Sequence, residues 1–448
     1  MSLLDAAWSA LGEDAAALAL VRSHAEAIPL DSTLPVGPFV HDAIAAASLS
    51  AALLVARRTG SAVPTVELDP ARVATAVTSE RHFRIDGDPV NAWAELSGFW
   101  PTSDGWVRTH ANYRHHREAL VTALGLPGST SADELLAHLH RRTAQEVEDL
   151  VAAAGGVASA ARSEDEWRQH PQSSAVAATS VLALSRLGDA PAAEYPPTEL
   201  DAPASGIRVL DLTRVIAGPV ASRTLALWGA DVLRVDSPRI PEIPWQHLDG
   251  GAGKRSALVD FETDPGTLDT LLERADVVIT GYRPGALDRF GLSQEALAAR
   301  HPGIVVARLS AWGSVGPWAE RRGFDSIVQA ATGIAWLESA DGGAPGAMPA
   351  QALDHSAGYL LAAGILTALR RRLDEGGSWL VETSLARVAA ELLDQPRAAR
   401  HEVSSWQPTV VVRGSVTSAA AAPHYDGGPD DWTEPAVPWG SSPPSWLD

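Results

Sequence analysis

The chain contains no cysteine, so disulfides, a thiol nucleophile and thiolate metal sites are excluded, and any catalysis rests on oxygen or nitrogen. Net positive charge is missing as well. Against 35 Lys and Arg stand 55 Asp and Glu, a formal charge of -20, which argues against nucleic-acid or membrane partners but allows a local basic pocket for an anion. No basic segment followed by an apolar core opens the chain at Met1, so no secretory leader is expected. The apolar run 43–56, between Asp42 and Arg57, is too short to cross a bilayer. A soluble cytoplasmic protein is the expectation, and abundant Ala, Gly, Asp and Arg fit a GC-rich bacterial genome.

Several signatures are absent too. Gly250-Gly251-Ala252-Gly253-Lys254-Arg255-Ser256 has Leu248 where a phosphate loop needs Gly and Arg255 where it needs Ser or Thr. No G-x-G-x-x-G follows the apolar run 207–212, and no G-x-S-x-G elbow exists, which removes the dinucleotide and serine-hydrolase fingerprints. His110-Ala111-Asn112-Tyr113-Arg114-His115-His116 lacks the i, i+4 pair on one helical face that metal ligation favours, so packing is the better reading and no metal is expected.

What is present is an alternation. Runs 207–212, 232–235, 257–259, 277–279 and 304–309 have the composition of buried strands, and helical spacing recurs over 217–229, 267–274 and 294–300. Short apolar strands between helices predict an α/β fold, a Rossmann-like parallel sheet with ligands at the carboxyl ends of its strands. That gathers 213–218, 236–239, 281–284 and 310–313 around one crevice, together with Arg214, Arg239, Lys254, Arg255, Arg283 and Arg289. Cations collected there by an acidic chain suit a phosphate-bearing, nucleotide-like ligand.

At 448 residues two or three domains are expected. The division predicted is a helical segment over 1–78, a small α+β domain over 79–189, a Pro/Ala-rich linker over 190–205, the Rossmann-like domain over 206–398, and an extended Pro- and Trp-rich tail over 399–448. The helical segment contains an echo. Setting Asp42 on Asp354 pairs Ala45 with Ala357, Ala51 with Ala363, Leu54 with Leu366, Ala56 with Ala368 and Arg58 with Arg370. After a gap of three, Glu67 falls on Glu382 and Ala71-Arg72-Val73-Ala74 on Ala386-Arg387-Val388-Ala389. Asp354 opens an apolar helix, where a carboxylate either caps the N-terminus or presents a nucleophile.

Gly206-Ile207-Arg208-Val209-Leu210-Asp211-Leu212-Thr213-Arg214-Val215-Ile216-Ala217-Gly218-Pro219 and Gly229-Ala230-Asp231-Val232-Leu233-Arg234-Val235-Asp236 resemble the opening blocks of the family III CoA-transferases. Lys254-Arg255-Ser256, Arg283-Pro284-Gly285-Ala286-Leu287-Asp288-Arg289-Phe290-Gly291 and Gly323-Phe324-Asp325 are similar to later blocks, in the right order. The resemblance implies an acyl-CoA:carboxylate CoA-transferase with coenzyme A as co-substrate and a carboxylic acid as acceptor. It makes Asp354 the nucleophile, passing through an aspartyl anhydride and an aspartyl-CoA thioester. It assigns CoA contacts to Arg214, Val215, Ala217, Lys254, Tyr282, Arg289 and Trp312, and implies an interlocked homodimer. The related α-methylacyl-CoA racemases place a His where this chain has Phe324, so that alternative needs a substitute base, for which His355 is the candidate. A catalytically inactive CoA-binding homologue is the third possibility, since the glycine-rich loop of formyl-CoA transferase is absent. The small domain here precedes the α/β block instead of following it, which implies a circular permutation after duplication, with the Asp42 segment as its remnant.

Overall fold

The computed structural model describes residues 1–22, 27–397 and 405–447. Its centre is a seven-stranded sheet. Strands Arg255–Leu258, Asp231–Asp236, Arg208–Leu212, Val277–Thr280, Val305–Ser310 and Ser378–Ser384 lie side by side and parallel in that order, and Ala183–Gly188 closes one edge antiparallel. Val277–Thr280 is buried at every position, as an inner strand covered on both faces must be. The strand order reverses between Arg208–Leu212 and Val277–Thr280, which makes the carboxyl ends of these two neighbours the natural ligand crevice. The edge strand Ala183–Gly188 went unforeseen because its exposed Arg186 interrupts the apolar pattern.

Two 24-residue helices, Val36–Thr59 and Ala352–Glu375, pack against each other. Both are long and apolar enough to cross a membrane, yet 83% and 100% of their most apolar stretches are buried within the protein. The first helix begins six residues ahead of Asp42, because Pro38 falls in the first turn, where its missing N–H costs nothing.

The expected repeat has a structural counterpart. Asp69 caps the helix Pro70–Val77 by accepting from Arg72 N at 3.0 Å, and Ser384 caps Leu385–Leu393 by accepting from Arg387 N at 3.3 Å. Val66 bridges Val21 in parallel, as Val381 pairs with Ala307. Next along each strand, Arg22 meets Glu67 at 3.0 Å and Arg308 meets Glu382 at 3.9 Å.

The small domain consists of the antiparallel strands Gly98–Pro101, Trp106–Thr109 and Ala158–Ala160, packed on Arg114–Ala123, Ala132–Leu139 and Ala144–Ala153. Leu96, Val107, Leu120, Leu135 and Val147 form its core. The tail differs from expectation. Its hairpin Val410–Arg413 and Val416–Ala419 pairs with Arg84–Ile85, and beyond it three indoles pin the chain to the α/β domain. Trp432 donates to Arg223 O at 2.7 Å, Trp439 to Asp236 Oδ2 at 3.0 Å and Trp446 to Leu271 O at 2.9 Å. Indole N–H groups buried against the domain need acceptors, and the domain's carbonyls and Asp236 supply them.

Candidate active site

Asp354 is the third residue of Ala352–Glu375 and is 6% exposed. It does not cap its own helix. The N–H of Asp354 is taken by Asp325 Oδ2 at 2.9 Å, reaching across from the start of another helix, Asp325–Thr332. Asp325 also accepts from Gln329, whose Oε1 in turn accepts from Met348 N at 3.0 Å. A neighbouring carboxylate thus satisfies the helix terminus, and the carboxyl of Asp354 is left for chemistry.

The two carboxyls perturb each other. Burial pushes Asp354 well above the ordinary carboxylate range, and the charge of Asp325 pushes it further. Burial also raises Asp325, to about 6, against the opposing pull of Gln329 and the N–H groups of Asp354 and Leu353. Like charges this close do not both ionise readily, so the pair tends to share one proton.

The helix carrying Asp354 lies tightly on Ala217–Leu227. A Cβ on Gly358 would stand 2.4 Å from Ala217 O, so only glycine allows the approach, and one on Gly218 would stand 2.2 Å from Thr213 Cβ, which fixes the turn into that helix. Two residues before Ala217, Val215 adopts φ 70°. A β-branched residue in the left-handed region is strained, and such strain gathers at functional turns. It lies at the end of the first parallel strand, beside the reversal of strand order.

The positions expected to contact CoA divide. Val215 and Ala217 form this turn, and Tyr282, 38% exposed, lies across the crevice. Arg214 is occupied: its Nε lies 3.3 Å from Glu242, and it donates to the carbonyls of Ile240 and Pro241. Lys254, the chain's single lysine, is 3% exposed and bonds Asp211 at 3.0 Å and Ser222 at 2.8 Å, a buried ion pair instead of a surface cation. Burial pulls that ammonium down to about 8 in spite of Asp211. Arg289 sits on the outside against Glu262 at 2.7 Å. Trp312 is 2% exposed and packs edge-on against Trp318, with centroids 4.7 Å apart. Of the other expected cations, Arg239 pairs with Asp260 and Glu262, and Arg255 with Asp231. The acidic partners lie on adjacent strands and loops, where sequence spacing does not reveal them.

Arg283 keeps its place at the crevice, bonding only the carbonyl of Glu320 at 3.2 Å among the described residues. Arg322, which the motif reading passed over, lines the same recess with Trp312 and Trp318. Burial and the nearby Arg283 lower its affinity for a proton, and its Nη1 donates to the carbonyl of Gly155.

The ring stacked on Phe324, at 3.9 Å between centroids, is that of His110, and His355 makes no ring contact with Phe324 among the described residues. Both histidines are buried and held neutral by that burial, at about 3 each. The cluster of histidines is a packing feature between the small domain and the helix of Asp325. Among the described residues no group of three or more His, Asp or Glu could hold a metal.

An open, mostly parallel sheet with a strained turn at its reversal point places the chain among the α/β proteins whose ligands bind at the carboxyl ends of the strands. The sequence model of CoA-transferase family III matches residues 5–195 and 204–425, and the chain belongs to that family. It is similar to a probable fatty acyl-CoA transferase of Mycobacterium tuberculosis, 33% identical over 42% of this chain and 52% of the relative. The alpha subunit of a succinyl-CoA–L-malate CoA-transferase from Chloroflexus aurantiacus is 31% identical over 43% of this chain and 49% of its own length. A formyl-CoA:oxalate CoA-transferase from Streptomyces avermitilis is 30% identical over 54% and 66% respectively. The chain thus spans about half the length of the first two of these relatives and two thirds of the third.

Proposed function

We propose that this is a cytoplasmic acyl-CoA:carboxylate CoA-transferase working through Asp354. One Oδ of Asp354 attacks the thioester carbon, the C–S bond breaks, and CoA leaves as thiolate with the electron pair. The thiolate returns to the aspartyl carbonyl of the mixed anhydride and expels the first acid as carboxylate. An acceptor carboxylate then attacks the aspartyl-CoA thioester, and the released thiolate takes the acyl group from the second anhydride, regenerating Asp354. Covalent catalysis of this kind divides a difficult exchange into easier steps and needs no metal.

The observation that carries the reading is Asp354 itself, buried, with its N–H already taken by Asp325 and its helix packed on Ala217–Leu227, the helix that follows the Val215 turn. Acylation removes the charge of Asp354 and lets Asp325 ionise, so the pair favours the covalent intermediate electrostatically. Arg283 and Arg322 suit the phosphates of CoA. The permuted domain order is part of the proposal, supported by the paired caps and ion pairs of the two repeats. A homodimer is its expected assembly.

The test is to incubate the protein with labelled acyl-CoA, trap with hydroxylamine or borohydride, and examine Asp354 by mass spectrometry. Modified Asp354 is expected. An unmodified Asp354 while CoA moves between acids refutes the mechanism, and α-proton exchange without transfer selects the racemase. An inactive CoA-binding homologue, favoured by the internal pairing of Arg214, Lys254 and Arg289, would bind CoA and do neither.

A further inference from the structure

The carboxyl of Asp354 is left for chemistry only while Asp325 serves its helix end, and one side chain holds Asp325 to that duty. Gln329 follows Asp325 by four residues, on the same face of Asp325–Thr332, and is 1% exposed. Its Nε2 donates to Asp325 Oδ1, and its Oε1 accepts from Met348 N at 3.0 Å. The amide has only this orientation. A carboxylate oxygen accepts and a peptide N–H donates, so a flipped amide would set oxygen against oxygen and N–H against N–H. Met348 therefore locks the amide, the amide locks Oδ1, and Oδ2 is the oxygen left for Asp354 N at 2.9 Å.

Asp325 is 0% exposed, and no cation bonds it among the described residues. Its charge rests on N–H groups instead. The amide of Gln329 and the backbone of Asp354 and Leu353 all oppose the effect of burial, and Gln329 is the one side chain among them. The ionisable groups that face it add no positive charge. Asp354 lies on the adjoining helix, and Glu80 of Ser79–His82 feels the charge of Asp325 while burial raises its own carboxyl to about 7. His110 and His116, whose rings stand against Phe324, are held neutral by burial.

We propose that Gln329 is a positioning residue for the transfer reaction, holding Asp325 on the helix end so that Asp354 does not turn back into a cap. Asp354 is the third residue of its helix, the position from which capping-box acids reach back to the first-turn N–H groups. Once Asp325 swings away, that N-terminus is short of an acceptor and Asp354 is the nearest carboxyl in the chain to supply one. The inference rests on the acyl-CoA reading of the site and adds the residue that keeps its nucleophile available.

Two variants separate hydrogen bonding from packing. Gln329→Met keeps the length of the side chain and removes both bonds. Gln329→Glu keeps a donor and an acceptor while protonated, and turns a further negative charge on Asp325 when ionised. In a CoA-transfer assay Gln329→Met should lose roughly tenfold in kcat with KM for acyl-CoA unchanged. The activity of Gln329→Glu, taken relative to wild type at the same pH, should be higher at pH 5.5 than at pH 8. Full kcat in folded Gln329→Met, or a Gln329→Glu ratio independent of pH, overturns the proposal and leaves the transferase reading standing. Should Gln329→Met not fold, Gln329→Glu carries the test, since its two pH values are compared in one protein. A readout that needs no turnover is the infrared band of protonated carboxyls, taken as a difference against Asp325→Asn. Loss of the amide donor should move the titration of Asp325 to higher pH in Gln329→Met, and an unmoved titration also overturns the proposal. If the titration moves while wild-type protein transfers no CoA, the hold of Gln329 on the pair stands and the transferase reading falls.

Discussion

Asp354→Asn has a consequence for stability that depends on pH. Both carboxyls of the pair are raised, so between the ordinary value of 3.8 and the raised ones the folded protein holds protons that the unfolded chain has released. The contribution to stability is full in acid and declines as the pH climbs through the folded values. For Asp325 alone, a rise from 3.8 to about 6 corresponds to about 3 kcal/mol at pH 8, at ~1.4 kcal/mol per unit. Replacing Asp354 removes its burial penalty and its repulsion with Asp325, so a gain in stability at pH 8 is expected. Unfolding entropy for a chain of this size is on the order of 0.9 kcal/mol/K, so each kcal/mol of gain raises Tm by about 1 °C. At pH 5, nearer the ordinary value of 3.8, the difference should be smaller. Differential scanning fluorimetry at pH 5 and pH 8 measures both. A variant no more stable than wild type at pH 8, or an increment equal at the two pH values, refutes the account of a strained carboxyl pair.

Lys254→Met leaves Asp211 buried with Arg234 as its remaining charged neighbour, and should cost on the order of 3–5 kcal/mol in thermal or urea unfolding. The folded fraction should bind CoA with unchanged affinity by calorimetry, whereas a CoA-contacting lysine would weaken it. Gly358→Val forces the two helices apart at Ala217 O, with ~1–3 kcal/mol of destabilisation and loss of CoA transfer in a coupled assay. Asp42→Ala removes the acceptor of Leu4 N and should cost about 1 kcal/mol without altering the transfer rate.

The sheet was legible because inner parallel strands are apolar throughout, so runs such as Val277–Thr280 announce themselves without alternation. Helix starts were less so. Asp42 looked like an opening residue because Pro38 disguised the first turn, and Asp354 looked like a cap although its helix begins two residues earlier. Asp325 was seen only as part of a motif. Its role as acceptor for the helix of Asp354 is a contact between residues 29 apart, which no local spacing encodes. The crevice cations were over-read for a related reason. Arg214 finds Glu242 and Lys254 finds Asp211 across the fold, and an ion pair between strands leaves no periodic trace.

The two copies of the repeat explain why one aspartate is a candidate nucleophile and the other is not. The Arg22–Glu67 and Arg308–Glu382 pairs follow corresponding parallel bridges, so the copies share more than Ala-rich composition. At the aspartates the arrangement is inverted. In the second copy an outside carboxylate, Asp325, accepts from the helix N–H groups and the carboxyl of Asp354 is released from that duty. In the first copy Asp42 is itself the outside carboxylate, its Oδ2 accepting from Leu4 N at 3.1 Å in the first turn of Leu3–Leu11. A carboxylate whose oxygen is taken by a helix N–H is less free to attack a substrate. The carboxyl of Asp354 has no such duty, and burial beside a second carboxyl raises it instead. The same residue type, on helices of the same length, is thus directed to structure in one copy and towards reactivity in the other by which carboxylate serves the helix end.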